Sequence, residues 1–447
     1  MLFLFKTGGS QGLAQPQPSV DFDSTEFRNR FLGTYGTLGE LEPKITQEES
    51  TLLKATLDDI GNNPGLAYTK LAASVTSNSS AALDYVLGNL KFQSSDERVA
   101  TNHYESALRK FPDFRRAHQN LGYALVRQDQ FKNGREHLLR AVELGAMDGE
   151  LMGVIAFTHW HEENYASTEA AYRRALLFNA KRADWKLGLA LSVARQDRDS
   201  EAIAIYNELI ELDPKNQDYW LAQADIYLRQ NKEEAALSNY EMARRLGASN
   251  PSMLANLASL YLNQGLTERA VNIFTSLTST MNDSLWNRTL NALEIIMSQD
   301  EWDWSEKLWM HLNQMNPASL SQNLRQHWNR LSAWRSLHQK SYADATILLK
   351  DLIKTNPLDG RSMLLLADAL GKQDQGAEAV LILERASRLE DYRKQALRLL
   401  INDALSKEKF DNAYQKLSLL QDEGFDPEIA ETMRQLESIL ASQSLSE

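Results

Sequence analysis

The sequence predicts an all-α protein built as a repeat solenoid, and two observations indicate it. Small residues recur at a fixed spacing of 34, as at Ala202, Ala236 and Ala270. A large aromatic residue stands four positions after each of them. These residues are Tyr206, Tyr240 and Phe274, with Tyr172 one spacing earlier. A fixed period of this length is typical of repeat architectures, in which each unit packs only on its neighbours. Glycine (21) and proline (10) are sparse, which favours helix.

The composition excludes several classes of function. With 447 residues the chain is longer than one globular core usually extends, a limit that a solenoid escapes. The formal net charge of −12 argues against a nucleic-acid binder, which needs a basic face to displace counterions. Because the chain has no cysteine, disulfides, thiolate zinc sites and cysteine nucleophiles are excluded. No apolar run reaches the roughly 18 residues of a transmembrane helix.

Ten repeat units can be aligned, and small residues mark the same two positions in them. The units begin at Ala81, Arg115, Gly149, Ala183, Gln217, Pro251, Trp286, Gln326, Gly360 and Lys394. The eighth position is Ala or Gly in eight of the ten units, and the twentieth is always small. The twenty-fourth position holds Tyr104, Leu138, Tyr172, Tyr206, Tyr240, Phe274, Trp309, Leu349, Leu383 and Leu417. Two helices approach closely only where neither carries a bulky side chain, so each unit is expected to be an antiparallel helix pair.

Turn signals and two changes of spacing complete the pattern. The dipeptides Asp213-Pro214, Asn316-Pro317 and Asn356-Pro357 are expected to close a second helix, with Pro at the first position of the next helix. Near residue 292 the spacing grows by one, which favours Ala292 over Leu293 as the small crossing residue. Around Ala318 to Leu324 six residues are inserted, and the regular repeat should break there.

The pattern resembles the tetratricopeptide repeat family over residues 81 to about 427. The fifth unit is close to the family consensus and carries Trp220, Ala224, Tyr227, Ala236, Tyr240 and Ala243, with Ala248 in place of the family's proline. The resemblance implies a right-handed superhelical solenoid of about ten helix pairs, with a groove lined by the first helices. It also implies a scaffold that binds a protein or peptide and has no enzymatic activity and no cofactor.

The flanks are expected to be capping helices and tails. Residues 1–45 are predicted as a flexible tail, 46–80 as amino-terminal capping helices that open with the capping box of Thr46 and Glu49, and 81–427 as the solenoid, irregular at 278–326. Residues 428–441 are predicted as a carboxyl-terminal capping helix and 442–447 as a tail.

No motif with chemistry of its own emerges. The string from His159 to Glu162 lacks the H-E-x-x-H spacing, so we interpret His159 as a packed residue and Trp160 and His161 as groove-facing, with no metal. Gly33, Gly36 and Gly39 follow no predicted strand, so turns are expected there rather than a phosphate site. No pair or triad of catalytic side chains is present, which predicts no enzyme.

The alignment with the tetratricopeptide repeat places aromatic, polar and charged side chains in the expected groove. Asn89 and Asn120 match two positions of the family's two-carboxylate clamp, but Tyr85, Glu150 and Val154 stand at its basic positions, so such a clamp is not supported. The predicted partner-binding residues are Tyr85, Asn89, Arg116, Tyr123, Arg127, Phe157, Trp160, His161, Arg195, Asp225 and Arg229. Aromatic and arginine side chains together suit an extended peptide or a partner helix.

Six of the nine tryptophans lie between Trp286 and Trp334. One interpretation is that they fill space left by the insertion. The other is a second binding patch formed by Trp302, Trp304 and Trp334, since tryptophan is enriched at interfaces.

Short motifs also resemble bacterial envelope tetratricopeptide proteins associated with TonB/ExbB/ExbD energy-transduction systems. They are Arg30 to Gly36, Ser80 to Asp84 and Lys110 to Ala117. This resemblance implies a periplasmic adaptor, with which the cleavage-like Gly12-Leu13-Ala14 is consistent. The alternatives left open are a cytoplasmic assembly or co-chaperone scaffold and a regulatory subunit of an enzyme.

Overall fold

The computed structural model of the protein describes residues 42–277, 281–421 and 427–444. Every regular element within these ranges is helical: there are 23 α-helices, two short 3₁₀ turns and no strand. The described residues divide into two compact units, 42–250 and 251–444. The predicted tail up to residue 41, including Gly33, Gly36, Gly39 and the motif from Arg30, lies outside the described residues, as do residues 445–447.

The first unit consists of two opening helices and five helix pairs. The helices are α1 (Gln47–Asn62), α2 (Pro64–Ala72), α3 (Ala81–Gln93), α4 (Glu97–Lys110), α5 (Arg115–Val126), α6 (Phe131–Glu143), α7 (Gly149–His161), α8 (Tyr165–Phe178), α9 (Ala183–Ala194), α10 (Asp199–Leu212), α11 (Gln217–Arg229) and α12 (Glu233–Arg245). All five first helices begin at the predicted first positions. The capping box is present: Thr46 Oγ1 accepts from Glu49 N at 3.2 Å, and Glu49 Oε2 accepts from Thr46 N at 2.9 Å.

The second unit contains five further pairs and a closing helix. Its helices are α13 (Pro251–Asn263), α14 (Thr267–Ser276), α15 (Asp283–Ser298), α16 (Trp302–Asn313), α17 (Gln322–His338), α18 (Tyr342–Thr355), α19 (Gly360–Gly371), α20 (Gly376–Ala386), α21 (Arg393–Ser406), α22 (Phe410–Gln421) and α23 (Pro427–Ser444), with 3₁₀ turns at Pro317–Ser319 and Glu390–Tyr392. The closing helix α23 continues to Ser444, beyond the predicted end at residue 441. Its Leu436 is buried against the preceding pairs.

The turn inside each pair has the same backbone geometry in all ten units. The residue at repeat position 15 has a positive φ every time: Ser95, Asp129, Glu163, Asp197, Asn231, Gly265, Asp300, Lys340, Asp374 and Glu408. The next residue donates its backbone N–H to a carbonyl five positions back, as Gln130 does to Leu125 at 2.9 Å. This is a Schellman-type helix end, which asparagine, aspartate and glycine tolerate best.

The small-residue ladder marks the helix crossings, as predicted. All ten residues at position 20 are buried, from Ala100 to Ala413. A Cβ added at Gly122 would lie 2.5 Å from the Leu138 side chain and 2.9 Å from the Gly134 carbonyl oxygen, so only glycine fits there. Tyr104 at position 24 is fully buried, as are its equivalents Tyr206 and Tyr240. Burying a large apolar side chain contributes about 1.5–3 kcal/mol, so this ladder is a main source of stability.

One prediction of local structure was wrong. Pro214 and Pro357 do not begin helices, because Asp213 Oδ1 accepts from Lys215 N at 3.1 Å and forms a turn, and the residues that cap the next helices are Asn216 and Asp359. Trp309 at position 24 is only half-buried, unlike its counterparts. Its ring stacks on Trp328 at a centroid distance of 5.3 Å.

The irregular spacing lengthens first helices. Helices α15 and α17 are 16 and 17 residues long, whereas the first helices of the first unit have 12 or 13. The predicted insertion forms the 3₁₀ turn Pro317–Ser319 and an added turn at the start of α17, which begins at Gln322 and not at Gln326. Ala292 and Leu293 are both buried, so both face the core of this unit.

Candidate functional site

The structure places four of the predicted groove residues in the core. Tyr85, Asn89, Tyr123 and Trp160 are all buried, and Asn89 is only 1% exposed. Trp160 lies 5.3 Å from the Tyr165 ring, centroid to centroid, in an edge-on arrangement. These side chains pack the first unit, and we do not include them among the proposed contact residues.

A buried hydrogen-bond network occupies Asn89 and its neighbours. Asn89 Oδ1 accepts from Tyr104 Oη and from Asn120 Nδ2, both at 2.9 Å. Asn120 Nδ2 also lies 3.0 Å from the Tyr85 hydroxyl, to which it donates. The network joins α3, α4 and α5, two consecutive repeat units. The two asparagines that match a carboxylate clamp therefore hold the repeats together.

The predicted groove residues at repeat position 13 contact position 17 of the preceding unit. The Arg127 guanidinium lies 3.0 Å from Glu97 Oε1, and Arg229 Nη2 donates to Asp199 Oδ1 at 2.6 Å. The Arg195 guanidinium lies 5.9 Å from the Tyr165 ring centroid. We call this series of contacts the inter-unit ladder. It ties successive units together, yet Arg195 is exposed and the Arg229 side chain is 43% exposed, so both still face solvent.

An aromatic cluster forms another step of the inter-unit ladder. His161 stacks on Phe131 at 4.2 Å and meets Phe157 edge-on at 4.5 Å, centroid to centroid. Burial lowers the pKa of His161 and outweighs the opposing charge of Asp129, so the ring is neutral at pH 7. His161 is exposed and Phe157 is half-buried. The cluster therefore presents apolar surface beside the cationic Arg195 step.

Arg116 and Asp225 are also held by neighbours. Arg116 Nε donates to Glu42 Oε1 at 2.9 Å. Asp225 accepts a hydrogen bond from Tyr240, which repeats the contact of Asn89 with Tyr104 four repeat units later. Burial raises the pKa of Asp225 to about 6, against the lowering effects of Tyr240 and Arg229. Asp225 is therefore a half-buried carboxylate that titrates close to neutral pH.

The His159 string has no metal-binding geometry. Among the described residues, no group of three or more His, Cys, Asp or Glu side chains could hold a metal ion. Burial lowers the pKa of His159, with the nearby Arg135 acting in the same direction, which keeps the imidazole neutral. The histidine packs within the repeat. In the part of the chain that the structure describes, no helix is long and apolar enough to cross a membrane.

The tryptophans of the second unit have different roles. Trp302 stacks on His338 at 3.7 Å, centroid to centroid, and this is the inter-unit ladder again, at positions 17 and 13. Trp304 is half-buried, with Lys307 Nζ 5.0 Å from its ring centroid. Trp334 meets Trp302 edge-on at 6.4 Å and has the Arg361 guanidinium 5.7 Å from its ring. Trp334 also lines a cavity in the second unit.

Sequence reasoning missed the other residues of that cavity. Leu365 and Tyr392 line it together with Trp334, and Arg330 lines a neighbouring cavity that Tyr392 also borders. Tyr392 comes from the 3₁₀ turn Glu390–Tyr392. The insertion before Gln326 was the sequence feature that could have pointed to this region, because it shows that the repeat spacing changes there.

Comparison with protein families agrees with this architecture. Residues 85–148, 158–217 and 221–278 match the tetratricopeptide repeat family. These segments of the chain carry tetratricopeptide repeats. A search of the curated proteins gave no match.

Several solved structures are similar to parts of the chain. YrrB, described as a TPR protein with an unusual peptide-binding site, is 19% identical with a TM-score of 0.39 and covers 42% of this chain and 96% of its own. A tetratricopeptide repeat protein from Parabacteroides merdae is 19% identical with a TM-score of 0.37, over 56% and 100%. Pseudomonas aeruginosa PilF is 18% identical with a TM-score of 0.35, over 49% and 96%. At these TM-scores the likeness carries no argument about the partner of this chain.

Proposed function

We propose that this tetratricopeptide repeat protein is a non-enzymatic interaction scaffold whose first unit binds an extended peptide or a partner helix. The observation that carries the proposal is the inter-unit ladder. Its position-13 side chains in the first unit are three arginines and one histidine, and His161, Arg195 and Arg229 remain exposed after making their contacts. Exposed aromatic and arginine side chains on rigid helices are typical of interaction hot spots.

The chemistry of the ladder favours a partner with both apolar and acidic side chains. Phe157 and His161 offer apolar surface, and Arg195 lies one repeat further along. A guanidinium binds carboxylates with two parallel N–H groups, so an acidic side chain of the partner suits it. Because the partner-facing atoms belong to helices that the core already fixes, little ordering entropy opposes binding.

The test is capture of the partner from the native host by the full chain. The double variant Phe157→Ala with Arg195→Glu is expected to lose capture, because it removes apolar surface and reverses one charge. Arg245→Glu is the matched control, since Arg245 is 75% exposed and makes only a 3.7 Å ion pair with Glu241. Circular dichroism spectra of both variants at the temperature of the capture experiment should match the wild type, whereas the double variant should melt at a lower temperature because Phe157 packs against the core. Equal capture by the double variant and the control would contradict the proposal.

We further propose that the scaffold acts in the periplasm as an adaptor of a TonB-type energy-transduction system. Ser80 to Asp84 and Lys110 to Ala117 support this, since they resemble the corresponding motifs of envelope tetratricopeptide proteins. Fractionation of the native host after osmotic shock tests it, with recovery in the periplasmic fraction expected. Recovery with the cytoplasmic proteins would favour the assembly or co-chaperone scaffold instead.

A further inference from the structure

Trp334 borders a cavity that the repeat pattern does not predict. The cavity has a volume of about 380 Å³ and is lined by Trp334, Arg361, Leu364, Leu365, Tyr392 and Gln395. A second cavity, of about 400 Å³, adjoins it, since Tyr392 lines both. We call the two cavities together the paired pocket. All of its residues belong to the second unit.

The polar half of the paired pocket is a product of the irregular spacing. Asn323 and Leu324 line it, and both lie in the turn that the insertion adds to the start of α17. Asn287 comes from the lengthened α15. Without the added turn of α17, this wall of the cavity would be missing.

The polar half offers carboxamides that can hydrogen-bond to a peptide backbone and a buried N–H that can donate to an acceptor of the ligand. Four carboxamides, those of Asn287, Asn323, Gln326 and Asn356, line it, and each has both a donor and an acceptor, as a peptide unit does. Arg330 Nη1 lies 3.2 Å from Asp359 Oδ2, but Arg330 Nε is buried without a hydrogen-bond partner among the described residues. A buried N–H of this kind is costly to leave unpaired, so an acceptor from a ligand would satisfy it.

One cation of the paired pocket favours an anionic acceptor. The charged residues of its lining are Arg330, Arg361 and Asp359. Arg361 forms an ion pair with Glu294, which lies outside the lining and also accepts from His327 at 2.8 Å. Arg330 contacts Asp359 through Nη1, whereas its Nε has no hydrogen-bond partner among the described residues, so its guanidinium is the group that a further carboxylate would suit.

The apolar half is shaped to hold a large side chain. Trp334, Leu365 and the Tyr392 ring form its walls. Gly360 makes this possible, because a Cβ there would lie 2.6 Å from Cγ of Tyr392 and would push the ring away from α19. Apolar pockets bordered by tryptophan and tyrosine are the usual location of interface anchors.

We propose that the paired pocket binds an extended peptide segment of a partner protein, with a large apolar side chain against Trp334 and Leu365 and a neighbouring carboxylate at Arg330. The site is separate from the inter-unit ladder of the first unit. It can therefore be tested independently of the function proposed for that ladder.

The probe is a phage-displayed library of random dodecapeptides, selected on the immobilised full chain. The selected sequences are expected to combine Trp, Phe or Leu with a nearby Asp or Glu. An enriched peptide is then synthesised with a fluorescein label, and its Kd is measured by fluorescence polarisation. Trp334→Ala should weaken binding by more than about tenfold, because it removes the apolar wall.

A matched pair of charge variants tests the carboxylate. Asn323→Asp places a negative charge in the polar half, whereas Gln322→Glu places one on the same exposed turn outside the lining. Asn323→Asp should weaken the acidic peptide by about fivefold and Gln322→Glu by less than about twofold. A control peptide in which Gln or Asn replaces the acidic residue should bind Asn323→Asp and Gln322→Glu with the same Kd.

Three outcomes would overturn the proposal. They are the absence of any enriched peptide, binding that is insensitive to both Trp334→Ala and Asn323→Asp, and binding that is lost only in Phe157→Ala with Arg195→Glu. The last outcome would support the function proposed for the first unit while excluding the paired pocket. If the first unit failed to capture a partner, the proposal for the paired pocket would still stand, because the two sites share no residues.

Discussion

The first unit, residues 42–250, and the second unit, residues 251–444, use the same helix pair with different consequences. In the first unit the spacing is strict, and the polar side chains of the first helices bind neighbouring repeats, as Asn89, Arg127 and Arg229 do. In the second unit the added turn of α17 places Asn323 at a cavity, and Arg330 Nε of the same lining has no hydrogen-bond partner among the described residues. Groove side chains of the first unit therefore contact neighbouring repeats and offer only part of their surface to a partner, whereas the changed spacing of the second unit forms a cavity with an unpaired donor.

The largest expected effect tests the strict packing of the first unit. Gly122→Ala should lower the free energy of unfolding by about 3 kcal/mol, because its Cβ would overlap Leu138 and the Gly134 carbonyl. Gly371→Ala is the control in the second unit, where a Cβ meets nothing within 4 Å. That variant should change stability by no more than about 1 kcal/mol. Urea unfolding measures both, and equal effects would show that the crossing at Gly122 is not tight.

A second prediction tests whether the clamp-like asparagines are structural. Asn120→Ala should cost about 1–3 kcal/mol, since it removes one of the two donors to the buried Asn89 Oδ1 and the hydrogen bond that Asn120 donates to the Tyr85 hydroxyl. Asn133→Ala, an exposed position on α6, should cost less than about 0.5 kcal/mol. If Asn120→Ala weakened partner capture without affecting urea unfolding, the asparagine would be a binding residue after all.

The third prediction concerns Asp225 and pH. Its folded pKa is about 6, raised from 3.8 chiefly by burial, so the native state disfavours its ionisation. Stability should therefore fall as the pH rises from about 4 through about 6. Asp225→Asn should be more stable than the wild type by about 1–2 kcal/mol at pH 7.5, with the difference vanishing near pH 4. A difference in melting temperature that is constant over this range would contradict the assignment.

The smallest effect is expected at a histidine pair on the outer part of the first unit. His118 Nδ1 and His137 Nδ1 lie 2.9 Å apart, and His118 Nε2 lies 2.9 Å from the Pro112 carbonyl oxygen. Burial is the main cause that lowers both pKa values, against the raising effects of Pro112 and Asp113 on His118 and of Glu136 on His137. The charges of Arg140 on His118 and of His118 on His137 act in the same direction as burial.

Because the folded pKa values of His118 and His137 are lowered, the neutral pair contributes to the free energy of unfolding above pH 6.5. That contribution is lost as the pH falls through the folded pKa values. Between pH 7.5 and pH 5 the wild type should lose up to about 1 kcal/mol more than His118→Gln with His137→Gln. Parallel pH profiles of the melting temperature would exclude this contribution. Of the four predictions, this one says least about the difference between the two units.

The fold could be predicted from the sequence because its determinants are periodic. Small residues at positions 8 and 20 and a large residue at position 24 specify a helix crossing wherever they occur, and all five first helices of the first unit begin where the spacing predicts. The left-handed turn at position 15 also has a signal in the sequence, since Asp129, Asp197 and Asn231 occupy it, but it does not follow from the spacing of small and large residues.

The site was harder to predict, for a physical reason. Whether a residue such as Tyr85 or Trp160 is buried depends on the neighbouring unit, and a single repeat frame does not contain that information. The predicted residue Trp334 does line a cavity, but its partner Tyr392 comes from a 3₁₀ turn more than fifty residues later. Such pairings depend on how the inserted residues shift α17, which the spacing alone does not determine.

The measurement that tests the central claim most directly is hydrogen exchange of the full chain with and without the selected acidic peptide. We expect the bound peptide to slow amide exchange at the start of α17, in residues 356–365 and around Tyr392. Asn323→Asp should reduce this protection, whereas Gln322→Glu should leave it unchanged. Protection confined to α7 and α9, or no protection in the second unit, would contradict the claim that the irregular repeats have formed a binding site.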